Sequence, residues 1–294
     1  MRLRNPGTID HAISTIRNLQ NYLGNSRGLH DGEERKDAFL NWCEDQARPN
    51  LESLLDPGEE ILAELESAYH RLALAPQMTL RRLNGMLSRE YTIWDQRLRQ
   101  AEEELQAQKR LAARPGHPVV LDTSVLMEGE PFLTFGWHAL APALASEPVR
   151  LIVPILVIEE LDDLLHDRNG DRRQKARAAT RELWQLHGAQ PTEPAPLPGH
   201  ADVTIEVLLD GDWHQRRPNN DAEIIDQALQ VHELTGKAIL LASCDLRMVY
   251  RAGAVGLPAV LMPRRNQDGA GQTARLPARA APSAATDALA ASAR

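Results

Sequence analysis

Four carboxylates set the chemistry this chain can do: Asp122, Glu160, Asp221 and Asp245. Asp122 closes the apolar run Val119-Val120-Leu121 and is followed by two hydroxyls, Thr123 and Ser124. Glu160 lies past Leu151-Ile152-Val153-Pro154, where Ile155, Ile158, Leu161 and Leu164 mark the core face of a helix. Asp221 belongs to Asn219-Asn220-Asp221-Ala222-Glu223, a helix start with acids in its first turn. Asp245 follows the strand-like Ala238-Ile239-Leu240-Leu241-Ala242 in Ser243-Cys244-Asp245. Alone, Asp122, Asp221 or Asp245 reads equally well as a helix N-cap, since a carboxylate there satisfies free N–H groups and the helix dipole. Together, with no compensating Lys or Arg expected nearby, they would repel one another unless a hard cation neutralised them. One or two Mg²⁺ or Mn²⁺ ions held this way can activate water and stabilise a leaving oxygen, the two needs of phosphodiester hydrolysis.

Convergence of residues so far apart requires a particular scaffold. Short apolar runs bounded by breakers and alternating with helical stretches predict an α/β domain with a parallel sheet. In such sheets the ligand crevice lies beyond the carboxyl ends of the strands, near the point where strand order reverses. Three acids then come from strand ends and Asp221 from a helix start. The last strand is expected at Pro258-Ala259-Val260-Leu261-Met262, and the Pro-rich stretch Gln190 to Gly199 as a surface loop.

Residues 8 to about 112 are helical throughout by periodicity. Ile9, Ile13, Ile16, Leu19 and Leu23 fall three and four apart. A heptad seam runs through Leu80, Asn84, Leu87, Tyr91, Trp94, Leu98, Ala101 and Leu105. Such a seam suits either the last helix of an intramolecular bundle or a homodimer or partner-helix interface over residues 80–105. The breaker Arg114-Pro115-Gly116-His117-Pro118 places the domain boundary, giving a helical domain (1–115), an α/β domain (116–263) and an Ala/Arg/Pro-rich tail (264–294) expected to be disordered.

Composition narrows the partners. The 294 residues are 43% hydrophobic and 25% charged, ordinary for a globular chain, while 4% aromatics argue against a protein built on base-stacking platforms. A net charge of −8 excludes an overall basic coat but not a local phosphate-binding stripe. Arg173, Arg177 and Arg181 supply one at helical i, i+4, i+8 spacing, with Arg216 and Arg217 as an extension toward Asp221. Two cysteines without a Cys-x-x-Cys pair exclude a cysteine-rich zinc site, and the ten histidines show no ligand spacing. His138, His166 and His187 read as surface or packing residues. The opening residues lack a signal-peptide core and no apolar run reaches membrane length, so a cytoplasmic protein is expected.

In order, Asp122-Thr123-Ser124, Glu160-Leu161, Asn220-Asp221 and Ser243-Cys244-Asp245 resemble the motifs of the PIN domain, over roughly residues 117 to 263. The resemblance implies a three-layer α/β/α sandwich with a central parallel sheet. It also implies Mg²⁺- or Mn²⁺-dependent cleavage of RNA, less often DNA, with Asp122, Glu160, Asp221 and Asp245 as catalytic metal ligands and Thr123, Ser124, Asn220, Ser243 and Glu223 in support. An endoribonuclease is the expected activity. The alternatives are a non-catalytic RNA-binding or scaffold protein acting through its helical domain, a phosphatase with Asp122 as nucleophile, and a toxin of a toxin–antitoxin pair. The phosphatase is disfavoured by the lack of a strand-end lysine with a second Thr/Ser motif, and the toxin by the extra hundred residues.

Overall fold

Two separate apolar cores divide the chain, one built from residues between Met1 and Leu105 and the other from residues between Leu111 and Met262. The computed structural model describes all residues except 6–7, 30–31, 75–78, 142–143, 189, 212–213 and 266–294.

The first core belongs to helices α1 (Ile9–Arg27), α2 (Gly32–Asn41), α3 (Arg48–Leu54), α4 (Glu60–Ala73) and α5 (Leu80–Ala113), with a π-helical turn at Trp42–Ala47. The seam positions Leu87, Tyr91, Trp94, Leu98, Ala101 and Leu105 are all buried, and α5 packs chiefly along α1, whose Ile13, Ile16, Leu19 and Leu23 are buried too. The buried seam of residues 80–105 thus packs against α1 of the same chain. Leu80 does not join the seam; it stays exposed, and Leu83 is buried in its place. Edge-on aromatic contacts, Phe39–Tyr91 at 5.3 Å and Trp42–Trp94 at 5.7 Å, fix the middle of the bundle.

The second core surrounds a six-stranded sheet in the order β3-β4-β2-β1-β5-β6. The strands are β1 (His117–Leu121), β2 (Val149–Pro154), β3 (Ala195–Pro196), β4 (Val203–Leu208), β5 (Leu240–Ser243) and β6 (Ala259–Leu261). All pairs are parallel except β3–β4. Helices α6 (Thr123–Glu128), α7 (Ile155–Leu164), α8 (Gly170–His187), α9 (Asn220–Thr235) and α10 (Leu246–Ala254) flank the sheet, which gives the α/β architecture the periodicity predicts. From β1 the chain steps outward through β2 to β4, then crosses back to place β5 on the other side of β1. The order thus reverses between β1 and β5, whose carboxyl ends deliver Asp122 and Asp245. Three details differ from the sequence reading. The Pro-rich stretch contributes the edge strand β3; Pro196 is tolerated because an edge needs fewer N–H donors. The buried face of α7 is Leu156, Val157 and Leu161, with Ile155 and Ile158 only partly covered. The second core also begins before the expected boundary, since Leu111 in the last turn of α5 is part of it.

A charged cluster joins the two units. Arg150 on β2 and Glu206 on β4 are each 1% exposed, with Arg150 Nε 2.5 Å from Glu206 Oε1. Arg114, just past α5, pairs with the same carboxylate, and Arg150 Nη1 donates to the Leu111 carbonyl at 3.0 Å. Burial pushes the Glu206 carboxyl up and the Arg150 guanidinium down, as expected when desolvation outweighs pairing. Gly116 makes the turn into β1 at φ 95°, where a Cβ would lie 3.1 Å from the Pro148 carbonyl oxygen. Gly116→Ala is therefore expected to cost about 1–3 kcal/mol of stability in urea unfolding; a loss within error would show that the turn relaxes freely.

The tail expected over 264–294 lies outside the described residues from 266 onward. Arg264 is placed: it bridges Gly129 and donates to the Cys244 carbonyl at 3.0 Å. Among the described residues no helix is long and apolar enough to cross a membrane.

Candidate active site

Asp122 stands at the N-cap position of α6, yet its side chain makes no capping hydrogen bond. Its Oδ2 instead accepts from Ser124 Oγ at 2.5 Å and Ser243 Oγ at 2.6 Å. Each serine is itself oriented by the backbone beyond β5: Ser124 Oγ accepts the Cys244 N–H and Ser243 Oγ the Asp245 N–H, both at 2.9 Å. The two hydroxyls thus tie the end of β1 to the end of β5 through one carboxylate. Asp122 is 7% exposed, and burial, with Glu160's charge adding to it, pushes its carboxyl above the ordinary aspartate range against the serine hydrogen bonds.

Glu160, half-buried on α7, is held from both sides. Thr123 Oγ1 donates to one oxygen and Asn220 Nδ2 to the other, the latter at 2.6 Å. Thr123 and Asn220 therefore bring together α6, α7 and the start of α9. The capping alternative for Asp221 is settled by its neighbour: Asn219 accepts the Ala222 N–H at 3.2 Å, leaving the Asp221 carboxylate free of the helix. Asp245 does cap α10, accepting the Arg247 N–H at 2.9 Å.

The expectation of carboxylates without nearby arginine is corrected here. Arg247 Nη2 lies 3.0 Å from Asp245 Oδ2, and Arg251 Nη1 lies 2.6 Å from Asp221 Oδ2. Arg247 also feels the charge of Asp221. Its pairing holds the Asp245 carboxyl below the usual range. Asp122 and the half-buried Glu160 are thus held by hydroxyl and amide donors, while Asp221 and Asp245 are engaged by arginines of α10. Both arginines follow the Ser-x-Asp segment on a helix, at i+2 and i+6 from Asp245, a spacing visible in the sequence but overlooked.

Glu223 points elsewhere. Fully buried, it accepts from His214 Nε2 at 2.5 Å and from the Arg217 N–H at 2.6 Å, and so anchors the loop before α9. With Asp210 these residues have ligand atoms within 4.8 Å of one another. Asp210 is already engaged by Gln227 and Arg216 at 2.7 and 2.6 Å, so the trio serves as a satisfied loop clamp. Its histidine was not evident from sequence spacing, because Glu223 lies nine residues from His214. Arg216 and Arg217, expected to extend a phosphate path, are spent on Glu159, Asp210 and Asp226. On α8, by contrast, Arg177 and Arg181 are exposed with no carboxylate partner among the described residues, and Arg173 donates to the Asp167 carbonyl at 3.1 Å.

The donor set suits a hard divalent cation. Asp122, Glu160, Asp221 and Asp245 offer carboxylate oxygens only, and the nearby Cys244 thiol is pushed up to about 12 by burial, which withholds the thiolate a softer metal would want.

The family model of the PIN domain matches residues 119–262, a span that contains all four acids. A search of curated proteins finds no match to the chain. Because the motif order, the sheet topology and the family match coincide over the same residues, the second core of this chain is a PIN domain, a family of metal-dependent nucleases.

Proposed function

We propose that this chain is an endoribonuclease that cuts phosphodiester bonds internally with Mg²⁺ or Mn²⁺ held by Asp122, Glu160, Asp221 and Asp245. The observation that carries the reading is a buried carboxylate, Asp122, at the strand-order reversal, which feels the charge of Glu160, itself held by the adjacent Thr123. The repulsion between the two carboxylates is relieved most simply by a cation. Such an ion, when bound, lowers the pKa of water and neutralises charge on the leaving oxygen. The protein contributes orientation. Ser124 and Ser243 fix one oxygen of Asp122 and so set the orientation of its carboxylate. Thr123 and Asn220 fix the plane of Glu160, and Asn219 keeps Asp221 out of the helix cap. No histidine enters this scheme.

The test uses a covalently closed circular RNA and the full chain, with Mn²⁺ or with chelator. Unit-length linear product that requires Mn²⁺ supports internal cutting. Intact circles alongside nucleotide release from linear RNA would replace it with exonuclease action, and cutting confined to DNA would change the substrate. Binding without any cutting would favour the scaffold alternative.

Arg173, Arg177 and Arg181 are proposed to hold RNA phosphates away from the cut. Neutralising all three is expected to lower the slope of log affinity against log salt by about 2, at about 0.7 per single-strand phosphate contact. An unchanged slope in filter binding would remove α8 from the interface.

A further inference from the structure

We propose that the outer face of α10 is the track along which a single-stranded nucleic acid enters the site, with Arg247 and Arg251 gripping backbone phosphates and Tyr250 stacking on a base. The proposal rests on the nuclease reading above and assigns that site its strand-binding side chains. Helix α10 buries Met248 and Ala252 toward the sheet. Arg247 and Arg251, one turn apart, form the stripe bordering that buried face, and Leu246 and Tyr250 form the next stripe outward.

Three observations support it. Both guanidiniums already touch site acids, Arg247 at Asp245 and Arg251 at Asp221, so they stand at the mouth of the crevice. They are also exposed, at 79% and 49% of the side chain, and so can exchange a carboxylate for an incoming anion without unfolding anything. Once a cation neutralises the acids, the attraction that holds the arginines there weakens. A backbone phosphate is then the matching partner, since the planar guanidinium fork fits its oxygens. Finally, Tyr250 is 69% exposed and Leu246 46% exposed on the adjoining stripe. Three aromatic side chains are exposed among the described residues, Tyr22, Trp184 and Tyr250, and Tyr250 is the one whose helix contacts the acids. An aromatic ring flanked by two arginines is what a single strand requires, phosphates on one side and bases on the other.

The experiment measures fluorescence anisotropy of a labelled single-stranded RNA with the full chain in Mn²⁺, which neutralises the acids, read in the cold before any cutting is detectable. The double variant Arg247→Ala/Arg251→Ala is expected to lower the salt slope by about 1.4, two contacts at about 0.7 each, and the double Lys variant to keep it. Tyr250→Ala is expected to bind at least about fivefold more weakly, and Tyr250→Phe, which keeps the ring, to bind like wild type. An unchanged slope in the double Ala variant overturns the proposal, as does a Tyr250→Phe as weak as Tyr250→Ala. Sedimentation of wild type and Tyr250→Ala guards against another occupant: a dimer that the substitution dissociates gives this face to a second copy and overturns the proposal. Wild-type cutting with Mn²⁺ is scored in parallel. Cutting with unchanged binding retires the α10 track and keeps the nuclease, whereas the expected binding changes without cutting retire the nuclease and keep the track.

Discussion

Replacing Asp122 with Asn is expected to lower Mn²⁺-dependent RNA cleavage by on the order of a hundredfold to a thousandfold, the cost of losing several kcal/mol of metal-derived stabilisation. In chelator the same variant is expected to melt above wild type. Both effects have one source. Asp122 is buried beside Glu160, and its carboxyl titrates above the ordinary aspartate range. The folded protein therefore holds this proton more tightly than the unfolded chain does. Stability falls as pH rises from the ordinary aspartate pKa through the raised one, and the full penalty is present above it. Asn carries no such titration, so metal-free melts from about pH 4 to 7 should show the gap between variant and wild type widening with pH. Wild type should regain stability with Mn²⁺, by about 2.7 kcal/mol at a hundredfold excess over Kd, and the variant less. Identical wild-type melts in chelator and in Mn²⁺ would remove the metal site.

The largest loss of stability is expected from Glu206→Ala. The substitution strands Arg150, 1% exposed, without its carboxylate, and removes the partner that holds Arg114 at the end of α5. Breaking one side of a buried pair costs about 3–5 kcal/mol, because the remaining charge stays desolvated. Replacing both sides, as in Arg150→Met/Glu206→Leu, should recover most of that, since apolar pairs of similar volume are often neutral in such places. Urea unfolding of the single and double variants checks the pair. A single-variant loss below about 1 kcal/mol, or no recovery in the double, would show that water reaches the cluster.

The sheet was legible where its strands are apolar and bounded by breakers, as at Val119–Leu121, Leu151–Val153 and Leu240–Ala242. At β4, Val203, Ile205 and Val207 alternate with Thr204 and Glu206 as a half-exposed strand would, so the burial of Glu206 could not be read without its partner, Arg150, on another strand. The strand-end positions of Asp122 and Asp245 and the helix start at Asp221 were legible from the breakers around them, whereas Glu160 stands in the second turn of α7. Which of the acids cap helices was not legible, since capping depends on a neighbour: Asn219 relieves Asp221 of that duty, whereas nothing relieves Asp245. Arg247 and Arg251 escaped notice for a similar reason. Helical spacing puts them on one face, but only the packing of α10 beside α9 turns that face toward Asp221.

Helix α5 belongs to both cores: its residues through Leu105 line the first, and Leu111 enters the second. Its 34 residues form one uninterrupted rod, roughly 50 Å long at about 1.5 Å per residue. The helical unit and the nuclease unit are therefore not beads on a string. A rod shared in this way leaves no hinge between the two cores, so the bundle and the four acids keep a fixed separation.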